Sequence, residues 1–381
     1  MGIQQSIALG RDEHSRNRMQ LNGSEPGREA TPLIGVLPGE GCGPELTEHA
    51  LTMLRAASPP VMPEIEVGGM IGKQALQATG AALPDDAVRF CRGIFDRGGA
   101  ILAGAAGERF VYNARREFKL SAKVNPVRSF EELADCGRWR PAHEPVDLLV
   151  VRENLGGLYQ GHVHEGESDQ ETITIAFPTE YAEISHVTSL AAQLAASRSG
   201  RMAVVTKEAG LPELHRAWIE RAREASSAHG AELQILDIDV AAYMLLREPE
   251  SFDVIVSSNC FGDILSDLGG HIMGSRGNTF GASFSRDGAA IYQTNHGCAA
   301  DLEGIDRVNP AGQIFSLAML VRERFGWDDV ADSLVGAVRS TWRSGIVTAD
   351  LEFPGSKVVG TQEWMRSCLT SLSEQPACEP A

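Results

Sequence analysis

A short β-branched run, Phe252-Asp253-Val254-Ile255-Val256, passes directly into Ser257-Ser258-Asn259-Cys260-Phe261-Gly262-Asp263-Ile264-Leu265-Ser266-Asp267. The run reads as a buried strand and the sequel as a helix, so acids stand close to a strand-to-helix junction. Asp263 and Asp267 are four residues apart and lie one above the other on one helical face. Stacked carboxylates repel unless a cation sits between them, and hard oxygen donors of this kind suit Mg²⁺ or Mn²⁺. The plainer alternative is a pair of solvated acids in a first helical turn, where the helix dipole favours them.

The rest of the chain repeats this alternation. Strands are expected at 33–37, 100–104, 147–152, 201–205 and 232–236, and helices at 109–119, 184–197, 213–229 and 240–246. Such a rhythm predicts an α/β fold, with a mostly parallel sheet covered by helices on both faces. The alternating segment 172–175, after a Gly-rich stretch, reads as a hairpin-like excursion from that sheet. Gly39-Glu40-Gly41-Cys42-Gly43-Pro44-Glu45 is a strand-to-helix turn that either cradles an anion on backbone N–H groups or is simply tight. It is neither GxGxxG nor a P-loop. Residues 1–31 lack hydrophobic periodicity and read as a flexible extension, and residues 371–381 as a loose tail.

At 381 residues the chain exceeds a typical single core. Its net charge of −17 argues against nucleic acid or an anionic membrane as partner, though local arginines can still hold an anionic substrate. The apolar content of 43% is not concentrated in any run long enough to span a membrane. Seven cysteines without CxxC spacing fit reduced thiols in the cytoplasm, and no apolar signal segment opens the chain.

Ligands of open α/β sheets gather at the carboxyl ends of strands. Arg152, Lys207, Asp263 and Asp267 all fall at such ends. A lysine there is ordinarily solvated, but burial beside a cation would lower its pKa and make it a base. Tyr181, at a helix start, is either an amphipathic core-edge residue or a proton donor. Arg115 and Arg116 are a solvated helix face, or a fork that grips a substrate carboxylate. In His296-Gly297-Cys298-Ala299-Ala300-Asp301 the acid could bond both ribose hydroxyls and would repel a 2′-phosphate.

Together these segments resemble the isocitrate/isopropylmalate dehydrogenase family of metal-dependent, β-decarboxylating 2-hydroxyacid dehydrogenases. Asn259 to Asp267 is similar to the signature NxFGDILSD, Gly39 to Glu45 to GDGIGPE, Val151 to Tyr159 to VRExxGGxY, and His296 to Asp301 to HGSAPD. The resemblance implies two α/β domains flanking a cleft, unlike a Rossmann fold. One is built from residues 32–127 plus 280–370 and binds cofactor; the other, 128–279, binds substrate and metal and pairs into a homodimer. It further implies NAD and a divalent cation held by Asp263, Asp267 and Asp239 of a second protomer. Lys207 is matched to the base, also acting across the interface, and Tyr181 to the proton donor. Arg115 and Arg152 are matched to substrate binding, and His296, Gly297, Ala299, Asp301 and Asn309 to the cofactor. The implied activity is oxidation of a malate-like 2-hydroxy acid followed by loss of CO₂. Oxidation without decarboxylation, and a non-catalytic regulatory paralogue, are the alternatives.

The sequence also departs from the family. Where the pattern reads ANLRP, this chain has Ala122-Lys123-Val124-Asn125-Pro126. A charge is lost at Asn125, and Lys123, on the same side of an extended segment, is placed to compensate. Ala209 replaces a polar residue after Lys207. The segment before Arg115 is short, which would turn Glu108, Val111 and Tyr112 toward the variable part of the substrate. Chemistry residues kept while anion and side-group contacts change imply a specialised substrate.

Overall fold

The computed structural model describes residues 31–136, 145–165 and 173–374. Most of the expected extension (1–30) and the end of the tail (375–381) lie outside the described residues. The first half contains β1 (Leu33–Leu37), α1 (Gly43–Ala56), β2 (Glu64–Val67), α2 (Gly72–Thr79), α3 (Asp85–Asp96), β3 (Ala100–Ala103), α4 (Phe110–Glu117), β4 (Ala122–Arg128) and β5 (Asp147–Glu153). Then come β6 (His162–Glu165), β7 (Ile173–Ala176), α5 (Tyr181–Ala196), β8 (Arg201–Thr206), α6 (Pro212–His229), β9 (Glu232–Asp237), α7 (Ile238–Arg247), β10 (Val254–Ser257) and α8 (Asn259–Ile272). The chain ends with β11 (Phe280–Phe284), β12 (Ala290–Thr294), α9 (Ala311–Phe325), α10 (Asp328–Arg343), β13 (Ile346–Val347), β14 (Lys357–Val358) and α11 (Thr361–Ser373).

One ten-stranded sheet runs through the molecule in the order β2-β1-β3-β12-β11-β4-β5-β10-β8-β9. Both flanks pair in parallel, as the βαβ rhythm requires. In the centre β12, β11, β4 and β5 are antiparallel, where strands from the chain ends meet strands from its middle. Pro126 is tolerated in central β4 because pairing with β11 is confined to Ala122–Val124, so its missing N–H leaves no gap in that ladder. The excursion expected near 172–175 is the separate antiparallel pair β6–β7. α9 is apolar nearly all round and buried from Ala311 to Arg322, which makes it the core helix. Phe315 stacks on Phe130 at 5.6 Å, and Trp342 meets Phe130 edge-on at 5.0 Å. α11 continues to Ser373 with Leu372 buried, so the chain is not loose from residue 371: an apolar side chain holds its last turn to the core.

The amino ends of the middle strands are tied by charge. Arg198 donates to Asp253 at 2.6 Å and to Asp147 at 3.0 Å, and Asp253 also accepts the Ser199 N–H at 2.8 Å. The opposite, carboxyl ends are thereby left for ligands. His186, on α5, is pulled down from 6.5 to about 4 by burial and by Arg286. The unfolded chain binds that proton below pH 6.5 and the folded chain does not, so stability falls as pH drops from 6.5 toward 4. His186→Gln is expected to remove up to about 3 kcal/mol of this loss and leave stability above pH 7 unchanged in urea titrations across the range.

Candidate active site

The site grows from a row of residues crossing the sheet. In register, Ser283 of β11 faces Lys123 of β4, Lys123 faces Arg152 of β5, and Arg152 faces Ser257 of β10. Directly opposed residues point to the same face, so Lys123 and Arg152 stand side by side there. α8 begins two residues after β10 and lies over that face. Its glycines permit the approach: a Cβ on Gly262 would sit 2.9 Å from the Arg152 Cβ and Cγ, and one on Gly269 would sit 2.4 Å from Val127.

Asn259, the first residue of α8, is fully buried and holds the cluster together. Its Oδ1 accepts from Arg152 Nε at 3.0 Å and Nη2 at 2.8 Å, and more weakly from Arg115 Nη1 at 3.5 Å. Its Nδ2 donates to the carbonyls of Asn154 at 3.2 Å and Gly156 at 2.9 Å. The remaining Arg152 nitrogen pairs with Asp263. Arg115, Lys123 and Arg152 are all buried, and no hydrogen bond from the Lys123 ammonium is made among the described residues. Burial, reinforced by the neighbouring Arg152, pulls Arg115 down to about 9. Burial with Arg115 and Arg152 pulls Lys123 well below its usual range, while Asp263 and Asp267 oppose the shift. Two arginines crowded against a lysine, with few acceptors, form a receptor for a multiply charged anion, whose arrival would favour the protonated lysine.

Asp263 and Asp267 do share a face of α8, but no acid lies in its first turn, because the helix starts at Asn259. The dipole therefore does not explain them. Asp263 is half-exposed and Asp267 exposed, and Asp267 pairs with Arg276 at 3.0 Å. As hard oxygen donors one turn apart they fit Mg²⁺ or Mn²⁺. Among the described residues no group of three or more His, Cys, Asp or Glu is assembled for a metal within one chain.

Lys207 directly follows β8, and its ammonium donates to Asp239 at 2.8 Å and Asp237 at 3.1 Å. Those bonds raise its pKa, so the expectation of a lysine neutralised by burial is corrected: it is partly exposed and charged. Tyr181 does not join the cluster. It is 61% exposed at the start of α5, with its ring 5.5 Å from the Arg221 guanidinium. The phenol that does join is Tyr159, which the sequence reading left without a role. Burial, with Cys260 and the negative charge of Asp263 nearby, raises its pKa above 10, so it holds its proton at neutral pH. Arg152 lies 5.7 Å from its ring centre, and Tyr112 meets it edge-on at 5.7 Å. The usable signal was its spacing, seven residues after Arg152 in the segment already singled out.

Val111 and Tyr112 are half-buried on α4, with Arg109 and Arg115 each 5.3 Å from the Tyr112 ring. Glu108 is exposed just before α4 at φ 53°. Arg116, unlike Arg115, is exposed. The Gly39–Gly43 turn is occupied by its own side chain. Glu40 accepts the N–H groups of Lys73 and Gln74 at 3.1 Å and of Gly107 at 2.6 Å, joining α2 to the loop before α4. Across from it, Cys42 N–H donates to the Cys298 carbonyl at 2.8 Å. Gly297 and Asp301 are exposed, His296 is partly so, and Ala299 takes the left-handed conformation at φ 41°. That open loop fits the ribose end of a dinucleotide. The Asn309 amide is already engaged: Nδ2 donates to Asn278 and Asp350 at 2.9 Å, and Oδ1 accepts Ala311 N–H at 3.0 Å.

The family signature described as isocitrate/isopropylmalate dehydrogenase matches residues 33–367. The chain belongs to this family. It is 33% identical over 365 residues to 3-isopropylmalate dehydrogenase of Priestia megaterium, covering 91% of this chain and 97% of that protein. It is 34% identical over 363 residues to that of Heyndrickxia coagulans, covering 90% and 97%. Isocitrate dehydrogenase from Methylococcus capsulatus superposes with a TM-score of 0.78 at 26% identity, over 90% of this chain and all of that one. The chain is thus a decarboxylating hydroxy-acid dehydrogenase of isopropylmalate/isocitrate type, which sets aside the non-catalytic reading. Asn259→Leu should destabilise by about 2 kcal/mol or more by stranding buried Arg152 donors, whereas Asp267→Asn should change stability little; urea unfolding measures both.

Proposed function

We propose that this enzyme oxidises a malate-like 2-hydroxy diacid with NAD and a divalent cation, and then releases CO₂. The observation that carries the reading is the convergence of buried Arg115, Lys123 and Arg152 beside Asp263 and Asp267. Two arginines and a lysine suit two carboxylates, and the two acids, both open to solvent, suit the metal. Bound between Asp263, Asp267 and Asp239 of a second protomer, Mg²⁺ or Mn²⁺ would supply the Lewis acid that lowers the hydroxyl pKa. NAD, lying along 296–301 with Asp301 at its ribose and Asn309 near its adenine, would accept the hydride.

Arg115, Arg152 and Lys123 hold the carboxylates in reacting geometry. Lys207 takes the hydroxyl proton. When Asp239 gives its carboxylate to the cation, Lys207 retains only Asp237, and its amine loses a proton more readily. Tyr159, rather than Tyr181, returns a proton to carbon after CO₂ leaves, because its phenol lies against Asp263. We take residues 32–127 with 280–370 as the cofactor lobe and 128–279 as the substrate and dimer lobe. Exposed Val240 and Tyr243 on α7, beside Lys207 and Asp239, support pairing through that lobe. No described helix is long and apolar enough to cross a membrane, and the described cysteines are free, which supports a cytoplasmic assignment.

Tyr159→Phe is expected to lower kcat by about 10²-fold or more, with Tyr181→Phe close to wild type, in NADH and CO₂ release assays with Mn²⁺. The shared site has its own test. Lys207→Met and Asp263→Asn homodimers should each be inactive, while mixing the two by refolding should restore up to about half the wild-type rate in the hybrid dimer. Activity that stays absent in purified hybrids would put Lys207 and Asp263 in the same protomer's site.

A further inference from the structure

Asn125, expected beside the substrate anions, stands opposite Val150, nearer the amino end of β5 than Arg152, and is fully buried there. The more informative side chain lies beside Lys207. Asp237 closes β9 and pairs in register with Thr206, the residue before that lysine. It is also the N-cap of α7, a place where an aspartate ordinarily turns its carboxylate to an N–H of the first helical turn. Asp237 makes no such bond. Its Oδ1 accepts the Glu208 N–H at 3.0 Å, and its Oδ2 accepts from the Lys207 ammonium at 3.1 Å. The helix goes without the side-chain cap it could have had. One oxygen pins the turn directly after Lys207, and the other holds the amine. Asp239 also accepts from that ammonium, at 2.8 Å, but its side chain is 66% exposed against 28% for Asp237. Asp239 is therefore the partner free to turn to a cation, and Asp237 the one anchored in place by a backbone bond.

We infer that Asp237 is a positioning residue for the proton transfer: it keeps the Lys207 amine aimed at the substrate hydroxyl once Asp239 has turned to the cation. This rests on the proposed role of Lys207 as base and adds the group that steadies it. A lysine carries its amine on a flexible four-carbon stem, and a reacting group displaced by a small distance loses a large factor in rate. The tether answers that weakness, because the same carboxylate fixes the backbone beside the lysine and the far end of its side chain. Charge supports the assignment as well. In the transfer the hydroxyl O–H bond breaks and an Nζ–H bond forms, so the amine becomes an ammonium while the electron pair stays on oxygen. Asp237 is then the anion in hydrogen-bond reach of the new charge.

The test compares wild type, Asp237→Asn, Asp237→Ser and Lys207→Met. NADH formation with Mn²⁺ is followed on whichever of malate, tartrate, 3-isopropylmalate and isocitrate the wild type oxidises fastest, and Mn²⁺ affinity is read by electron paramagnetic resonance. Asparagine and serine both suit an N-cap, so α7 is not weakened, but neither offers the lysine a charge. Each is expected to lower kcat by about 10-fold or more while KM and Mn²⁺ affinity stay within about two-fold of wild type. Thermal melting checks that both variants fold, and either one alone is sufficient. An unchanged kcat, a change confined to KM, or full activity in the serine variant overturns the inference. So does a loss of Mn²⁺ binding, which would make Asp237 a ligand of the cation. The two readings fail separately. An active Lys207→Met removes the base assignment and this inference with it, as does oxidation of none of the four acids. An inactive Lys207→Met beside a fully active Asp237→Asn removes this inference alone.

Discussion

Buried positive charge is the constraint around which this molecule is arranged. Arg115, Lys123 and Arg152 sit together in the interior, where isolated charges are strongly disfavoured. The fold answers with one neutral hub and one anion. Asn259 Oδ1 takes two Arg152 nitrogens, Asp263 takes a third, and the Asn259 amide is fixed in turn by two backbone carbonyls. Gly262 and Gly269 let α8 lie close enough for this to happen. The compensation is partial, since among the described residues the Arg115 Nε has no acceptor. An anionic ligand supplies what the protein withholds, and binding strength is gained from groups that are poorly satisfied in its absence.

The sheet separates stability from chemistry along its strands. At the amino ends of β5, β8 and β10, Arg198 and Asp253 form a buried ion pair whose remaining lone pairs are met by Ser199 and whose guanidinium also binds Asp147. At the carboxyl ends, the charged groups are left open on one side. The antiparallel centre adds a second effect. It sets Lys123, on a strand running against β5, directly beside Arg152, a meeting that two parallel strands joined by a helix would have had to reach from farther apart in sequence.

Much of this could be read beforehand, for identifiable reasons. Strands β1, β3, β5 and β8 carry continuous apolar stretches and are buried, and that pattern is a local property. The central hairpin of β11 and β12 went unseen because Phe280–Phe284 mixes Gly and Ser into its apolar residues, and burial on both faces hides alternation. The start of α8 was set too late because Asn259, Cys260 and Phe261 give no capping signal beyond Ser258. Placing the acids in a first turn followed from that. Lys207 was expected to be neutral because sequence gives its position at a strand end but not its neighbours. Asp237 and Asp239 reach it across the β8–β9 register.

The choice between the two tyrosines shows what spacing can and cannot decide. Tyr181 heads a helix beside an acid, a local pattern that suits many roles, and its surroundings turn out to be solvent and Arg221. Tyr159 follows Arg152 by a glycine turn in which Gly157 has φ 73°, and Asn259 binds the backbone at Asn154 and Gly156 on either side of Leu155. The same amide that steadies Arg152 therefore also fixes the turn that delivers the phenol to Asp263. Arg152 and the turn that carries Tyr159 are positioned by a single side chain. That shared dependence is a long-range contact between β5 and α8, separated by more than a hundred residues, and so lay beyond any reading of local pattern.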